Sequence, residues 1–316
     1  MTRAELEEDV SIGDTVKITT KSGKFTGRVE EFGESAVMLT NPENGKSKRI
    51  AYAFIIEYDT GKSSFKDILT IGIDTDSKLV KIPKTNYWMG QTPVTQRLYE
   101  KVMNENPSYH QLSNDKLKDD ERKALEELGT TDNNPVENVS WYDAVYFCNK
   151  LSIMEGLTPA YSVDGETDPV YWGYTPHQEE SIGSNVDCDF YANGYRLPTN
   201  DEWEEAAKGG EIYKYSGSYD LDEVGWYEDN SSNVTHPVAQ KMANAYGLYD
   251  MSGNVWDWVW ETSSSSCRFV RGGSFYADCV ALYPLVNGCM VSFRIYCSCA
   301  RNQYISVGFR LLRPQD

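Results

Sequence analysis

The sequence predicts an α+β chain in two units: a small all-β unit over residues 1–60 and a larger, loop-rich α+β domain over residues 61–316. Three observations predict it. Short alternating polar and apolar runs, broken by glycine and asparagine turns, fill the chain up to about Asp59. Beyond a polar linker at Thr60–Ser64 the alternation gives way to capped segments of helical period. A length of 316 residues with 40% hydrophobic content suffices for two packed cores.

Residues 1–10 form an acidic lead-in. Strands are expected at Asp14–Thr20, Phe25–Glu30, Ala36–Thr40, Arg49–Tyr52 and Phe54–Tyr58, with turns at Lys21–Lys24 and Asn41–Gly45. The phrase from Gly13 to Val29 resembles small Sm-like or SH3-like barrels, some of which bind RNA. Lys21, Lys24, Arg28, Lys46, Lys48 and Arg49 make either a local basic patch or, the reading preferred here, a solvated strand face. In the second unit Thr95 caps a short helix ending at Met103. Ser140 caps a helix running to Leu151, with Asp143 completing a capping box and Ala144, Val145, Phe147, Cys148 and Leu151 on one face. Thr199 or Asn200 caps a third helix, acidic in its first turn and stopped by Gly209-Gly210. The rest reads as brief strands and ordered loops.

A net charge of −18 repels phosphate backbones and argues against nucleic acid as a partner. Aromatic content of 13%, with 22 Tyr and 8 Trp, suits a binding surface. The 7 cysteines are uneven: Cys148 and Cys188 stand alone, while Cys267, Cys279, Cys289, Cys297 and Cys299 crowd the end. No CxxC occurs, so most are read as small buried hydrophobes. No apolar run is long enough to cross a bilayer, and Met1–Glu8 carries no signal-peptide pattern. Membrane attachment would need a leader or lipid anchor outside this sequence: with one the chain is expected at the cell surface, without one in the cytoplasm, and in either case as a monomer.

Several motifs then occur in a fixed order: Trp88–Thr95 with Tyr99, Asn106–Ser108, Pro135–Ala144, Gly194–Thr199 with Glu202 and Trp203, Asn244–Asp250 and Gly253–Trp258. Across about residues 85–312 they resemble the sulfatase-modifying, or formylglycine-generating, domain. The resemblance implies a C-type-lectin-like fold. Oxidising members carry a cysteine pair shortly after the Arg271-Gly-Gly-Ser274 phrase; at the matching places this chain has Ala277 and Leu282. Iron-dependent sulfur-transfer relatives need a histidine cluster, whereas His110, His177 and His236 stand far apart and read as surface loop residues. No catalytic residues are therefore assigned and an enzyme is not expected; a formylglycine-generating type oxidoreductase remains the alternative reading. No cofactor is required. The resemblance also offers a structural calcium at Asp250 and Asp257 with the carbonyls of Gly253 and Val255, the alternative being that the same acids accept backbone N–H bonds.

The tail Cys289–Arg294, Ala300-Arg301 and Gly308–Leu312 is similar to the terminal region of variable proteins from diversity-generating retroelements. That resemblance implies a rigid frame displaying a rewritten segment, here about residues 268–312, to a protein ligand. The expected ligand-binding positions are Phe275, Tyr276, Ala277, Asp278, Ala281, Leu282, Tyr283, Leu285, Phe293, Ile295, Tyr296, Ser298, Asn302, Gln303 and Tyr304. Aromatics give large contact area at low entropic cost. Arg271, Arg294, Arg301 and Arg310 are read as structural pins, and Trp256 and Trp258 as core. The function expected is thus a receptor-like or adhesin-like display protein rather than an enzyme; an RNA-associated scaffold acting through the first unit is opposed by the charge.

Overall fold

The computed structural model describes residues 15–20, 23–32, 36–40, 46–51, 55–59, 68–178, 181–182, 185–264, 267–276 and 288–315. The chain divides into two compact units, Met1–Ile68 and Leu69–Asp316.

In the first unit β1 (Thr15–Thr20), β2 (Gly23–Phe32), β3 (Ala36–Thr40), β4 (Ser47–Ala51) and β5 (Ile55–Asp59) form one antiparallel sheet in the order β4-β3-β2-β1-β5. The return of β5 to β1 is what a small barrel requires. Cross-strand pairs Val29–Leu39 and Val37–Ile50 are buried, which fixes the register through the apolar face. Of the basic residues, Lys46 and Lys48 are exposed, as a solvated edge demands, and Lys21 lies outside the described residues.

The second unit holds β6 (Ile68–Ile71), β7 (Asp74–Lys81), β8 (Tyr87–Gly90), α1 (Gln96–Met103), α2 (Asp119–Leu128), α3 (Trp141–Met154), β9 (Tyr161–Val163), β10 (Val186–Cys188), α4 (Asn200–Lys208), α5 (Leu221–Val224), β11 (Trp256–Ser264), β12 (Cys267–Arg271), β13 (Arg294–Cys299), β14 (Val307–Phe309) and β15 (Leu312–Pro314). Two four-stranded sheets, β15-β8-β7-β6 and β13-β12-β11-β14, accompany the small β10-β9 pair. The last strand, β15, pairs with β8, and β14 runs parallel to β11, so the end of the chain closes sheets begun far earlier.

The helices form where local chemistry asks for them. Thr95, Ser140 and Thr199 each accept an N–H bond in the first turn of α1, α3 and α4, and the last two complete capping boxes with Asp143 and Glu202. Helix α3 runs one turn beyond the expected Leu151, ending at Met154. Helix α2 was not expected: of its residues only Glu121 and Leu125 are buried, so little apolar period betrays it. Its cap carries the signal instead, since the Glu121 carboxylate accepts the Lys118 N–H at 3.0 Å.

Strand β11 separates two cores by alternation. Trp256 and Trp258 join α1, α3 and Phe309, where Phe147 stacks on Tyr99 at 5.2 Å and meets Phe309 edge-on at 5.2 Å. Val259 packs into a second core with Trp203, Ala206 and Ala207 of α4, Met89 and Leu312. Three tryptophan N–H groups inside these cores find acceptors, while that of Trp256 has none: Trp141 donates to the Val259 carbonyl, Trp258 to that of Val139, and Trp203 to Asp257.

Two buried guanidinium groups bind the loops to the cores. Arg310 donates to Asp257 Oδ2 at 3.2 Å and to the carbonyls of Gly90, Tyr249 and Asp250. Arg271 donates to the Phe293 carbonyl and to Glu204, lying over the Trp203 ring. Arg294 and Arg301, expected to act likewise, are exposed, and Arg294 lies over the Phe269 ring at 5.5 Å. Their exposure corrects the expectation that they pin buried carbonyls as Arg271 and Arg310 do. In the Arg271–Ser274 phrase, Gly273 has φ +80°, and a Cβ there would stand 2.9 Å from the Cys289 backbone, so the glycine is a steric necessity.

Arg310→Met is expected to lower the denaturation free energy by about 3–5 kcal/mol, because Asp257 is left buried without its cation. A urea midpoint reads this, and a loss under about 1 kcal/mol would contradict it. Burial raises the Glu202 carboxyl, but hydrogen bonds and charge from Arg196 outweigh it and hold the group below its ordinary range. Its contribution is therefore complete above the ordinary carboxylate range and lost as pH falls through the lowered folded value. Glu202→Gln should flatten this part of the acid limb of a stability–pH curve; an unchanged limb would assign that stability elsewhere.

Candidate ligand-binding face

The segment after Arg271 begins in the core and works outward. Phe275 is buried, its ring 4.8 Å from that of His110 and edge-on to it. Its N–H donates to the Asn254 carbonyl and its own carbonyl accepts the Ser231 hydroxyl. Phe275 is thus an anchor, correcting its place among the exposed contact positions: the two glycines before it turn the chain inward. Tyr276 is half-buried, and its N–H is held by the Ser274 hydroxyl. Ala277, Asp278, Ala281, Leu282, Tyr283 and Leu285 lie outside the described residues, and so do the places matched to the catalytic cysteine pair.

The chain continues from Gly288. Cys289 is buried beside Gly273, Ser292 is exposed, and Phe293 and Ile295 are half-buried. Phe293 and Ile295 each pack one side against the main core, Phe293 at 6.2 Å from Trp256 and Ile295 paired with Val270. Tyr296 pairs with Phe269, and Ser298 lies in the same strand β13, an outer strand of its sheet. Asn302, Gln303 and Tyr304 are half-buried, with the Asn302 amide donating to the Tyr304 hydroxyl at 2.9 Å. Arg301 and Ile305 on either side are exposed. The structure therefore brings Phe293 and Ile295 together on the rim of the main core and joins Asn302 to Tyr304 in one turn.

Asn138 is a residue that the sequence reading left unassigned. At φ +63° it turns the chain so that its N–H takes the Tyr304 carbonyl, while its side chain donates to the Pro107 carbonyl. An asparagine in the Pro135–Ala144 motif was the available signal, since it tolerates this backbone region. An open hollow of about 220 Å3 lies here, bordered by Ser108, Tyr109, Gln111 and Asn138. The amide groups around it are spent on its own walls: Gln111 donates to the Asn106 and Ser108 carbonyls and Asn114 to that of Tyr109. No acid–base pair lines this hollow.

The three histidines are not surface residues, contrary to expectation. His110 is fully buried, 3.3 Å from Glu137; His177 lies 3.5 Å from Asp143 and meets the Tyr99 hydroxyl at 3.2 Å; His236 stacks on Trp226 at 3.8 Å. Each has a separate structural partner, and among the described residues no three His, Cys, Asp or Glu side chains gather as a metal site. Among the cysteines, burial holds the Cys148 thiol well above its usual range and pushes that of Cys289 up to about 12.

Asp250 and Asp257 are both buried, and burial raises both carboxyls, against the partial opposition of Arg310. Asp250 accepts the Ala239 N–H at 2.8 Å and the Asn254 amide at 3.3 Å. Asp257 Oδ2 accepts from Trp203 and Arg310, while its Oδ1 has no hydrogen-bond partner. The acids do accept N–H bonds, yet one buried oxygen is left over. Two carboxylates against one guanidinium also leave one negative charge, a remainder that an oxygen-liganded divalent ion fits.

A family model described as a sulfatase-modifying factor enzyme 1-like domain matches residues 60–315. The chaperone protein LppX of Paenibacillus barcinonensis is 36% identical over 248 residues, 70% of this chain and 76% of that protein. The inactive C-alpha-formylglycine-generating enzyme 2 of Bos taurus is 33% identical over 98 residues, 26% of this chain and 33% of its own. Among solved structures, Treponema denticola variable protein 1 superposes with a TM-score of 0.60 at 28% identity, covering 94% of this chain and 98% of that one. By this match, and with two four-stranded sheets set among long ordered loops, the chain belongs to the sulfatase-modifying factor enzyme 1-like family, with the C-type-lectin-like fold of a variable protein.

Proposed function

We propose that this protein is a non-enzymatic display protein, whose segment around residues 268–312 is diversified by a retroelement and binds a protein ligand at the cell surface. One observation carries the reading. The frame residues Arg271, Phe275, Trp256, Trp258 and Arg310 are all buried and bonded, whereas Tyr276, Phe293, Ile295 and Asn302–Tyr304 between them are only half-buried. A fixed interior under a changeable rim lets side chains be replaced without rebuilding the fold. The likeness to a treponemal variable protein supports it. The positions from Ala277 to Leu285, with Tyr296 and Ser298, belong to the proposed face on the sequence argument alone. Among the described residues no helix is long and apolar enough to cross a membrane, so surface attachment would run through a leader or lipid anchor.

The oxidoreductase alternative needs a thiolate. Cys148 and Cys289 are buried thiols held protonated at neutral pH, the opposite of an activated nucleophile. Simultaneous Tyr276→Ala, Asn302→Ala and Tyr304→Ala substitution is expected to shift the melting temperature by no more than about 4 °C while abolishing capture of any protein partner selected with the unmodified chain. Retained capture would remove these positions from the face, and conversion of a cysteine in a sulfatase-type peptide to formylglycine would overturn the display reading altogether.

We further propose a structural calcium at Asp250 and Asp257, with the carbonyls of Gly253 and Val255 completing an oxygen donor set. It would neutralise buried charge and take up the unpartnered Oδ1 of Asp257. At calcium concentrations about 100-fold over its dissociation constant, the melting transition should rise by the equivalent of about 2.7 kcal/mol relative to a chelator. Superimposable melting curves with calcium and with chelator would leave Arg310 and the N–H donors as the only partners of these acids.

A further inference from the structure

Among the exposed aromatic sites of the described residues outside the segment 268–312 is a corner at Ile212, Tyr213 and Tyr219. Ile212 is 90% exposed, Tyr219 60% and Tyr213 37%. The two tyrosine rings meet edge to face, with centroids 5.0 Å apart and planes at 87°. Exposed apolar groups on a floppy loop need no explanation, but this loop is fixed. Tyr215 and Ser218 exchange N–H···O bonds of 3.0 and 3.4 Å. The Ser216 N–H donates to the Ser252 hydroxyl at 3.0 Å, and its own hydroxyl donates to the Ala207 carbonyl at 2.7 Å. The Val291 N–H donates to the Lys214 carbonyl at 3.1 Å, which sets the corner beside the proposed binding face.

The surroundings are acidic. Residues 211–229 hold six carboxylate side chains against one lysine, and Asp220, Asp222, Glu223, Glu228 and Asp229 are exposed. The lysine, Lys214, lies over the ring of Tyr215 at 4.8 Å, so a cation already rests on a tyrosine of this segment. Exposed tyrosine rings in a segment rich in exposed carboxylates match one side chain best: a guanidinium stacks flat on a ring and offers a fork of donors to a carboxylate, which an ammonium cannot do. The chain's net charge of −18 steers cationic protein surfaces toward it and repels nucleic acid.

We propose that the Ile212–Tyr213–Tyr219 corner is a fixed docking patch for an arginine-bearing segment of a partner protein. Its residues lie outside the segment proposed to vary, so the contact persists whatever that segment's sequence. The pinned backbone means little order is lost on binding, as in other aromatic anchors at interfaces.

The test uses fluorescein-labelled decapeptides of alternating arginine and glycine, lysine and glycine, or glutamate and glycine, with anisotropy read against the full chain at physiological salt. The arginine peptide should bind about threefold to tenfold tighter than the lysine peptide, and the glutamate peptide not at all. Tyr213→Ala with Tyr219→Ala should erase the arginine preference, while Tyr213→Phe with Tyr219→Phe keeps it. Tyr304→Ala should leave it untouched, which separates this patch from the face proposed above. Equal binding of arginine and lysine peptides, absence of binding, or an arginine preference that survives the alanine pair would each overturn the proposal. The peptide comparison on the unmodified chain decides the matter even if the alanine pair fails to fold.

Discussion

The pairing of Arg310 with Asp257 is the constraint on which the larger unit depends. Both groups are withdrawn from water, and an isolated buried charge of either sign is prohibitive. The remaining donors of the guanidinium go to the carbonyls of Gly90, Tyr249 and Asp250. One side chain thereby holds the end of β8, the loop before β11 and β11 itself. A domain with so much irregular backbone has many loop carbonyls to satisfy, and a fork of fixed geometry does this where no strand can. Arg271 repeats the device on the opposite side of Asp257's neighbour Trp203, through Glu204 and the Phe293 carbonyl.

This wiring explains how a loop-rich chain can be rigid. The tryptophans fill volume, but their N–H groups and the arginines decide where the loops go. The half-buried residues of the proposed face rest on this interior, and the Phe293 and Tyr304 carbonyls, which accept from Arg271 and from the Asn138 N–H, are groups that any residue at those positions supplies. Backbone-mediated support is the physical condition for a surface that tolerates replacement of its side chains.

Much of this was readable beforehand. Helices α1, α3 and α4 announced themselves through Thr95, Ser140 and Thr199, because capping is local and sequence-near. The ordered motifs from Trp88 to Arg310 carried the C-type-lectin-like fold. Helix α2 stayed hidden because burial of Leu125 alone gives no period. Phe275 was misplaced because nothing in a sequence distinguishes an aromatic that turns inward onto His110 from one that faces water. The histidines were misjudged for a related reason: their partners Glu137, Asp143 and Trp226 are set by tertiary packing.

The order of parts along the chain has a genetic consequence. Arg310, β14 and β15 are encoded downstream of the segment proposed to vary, yet they close sheets begun at β8 and β11. A nascent chain cannot complete this domain until β15 has left the ribosome. An insertion or deletion in that segment which shifts the reading frame erases the Gly308-Phe-Arg310 closure and yields an unfolded product for proteolysis. Under the proposal that this segment is rewritten, folding itself would screen the products, passing in-frame codon exchange and discarding frame shifts.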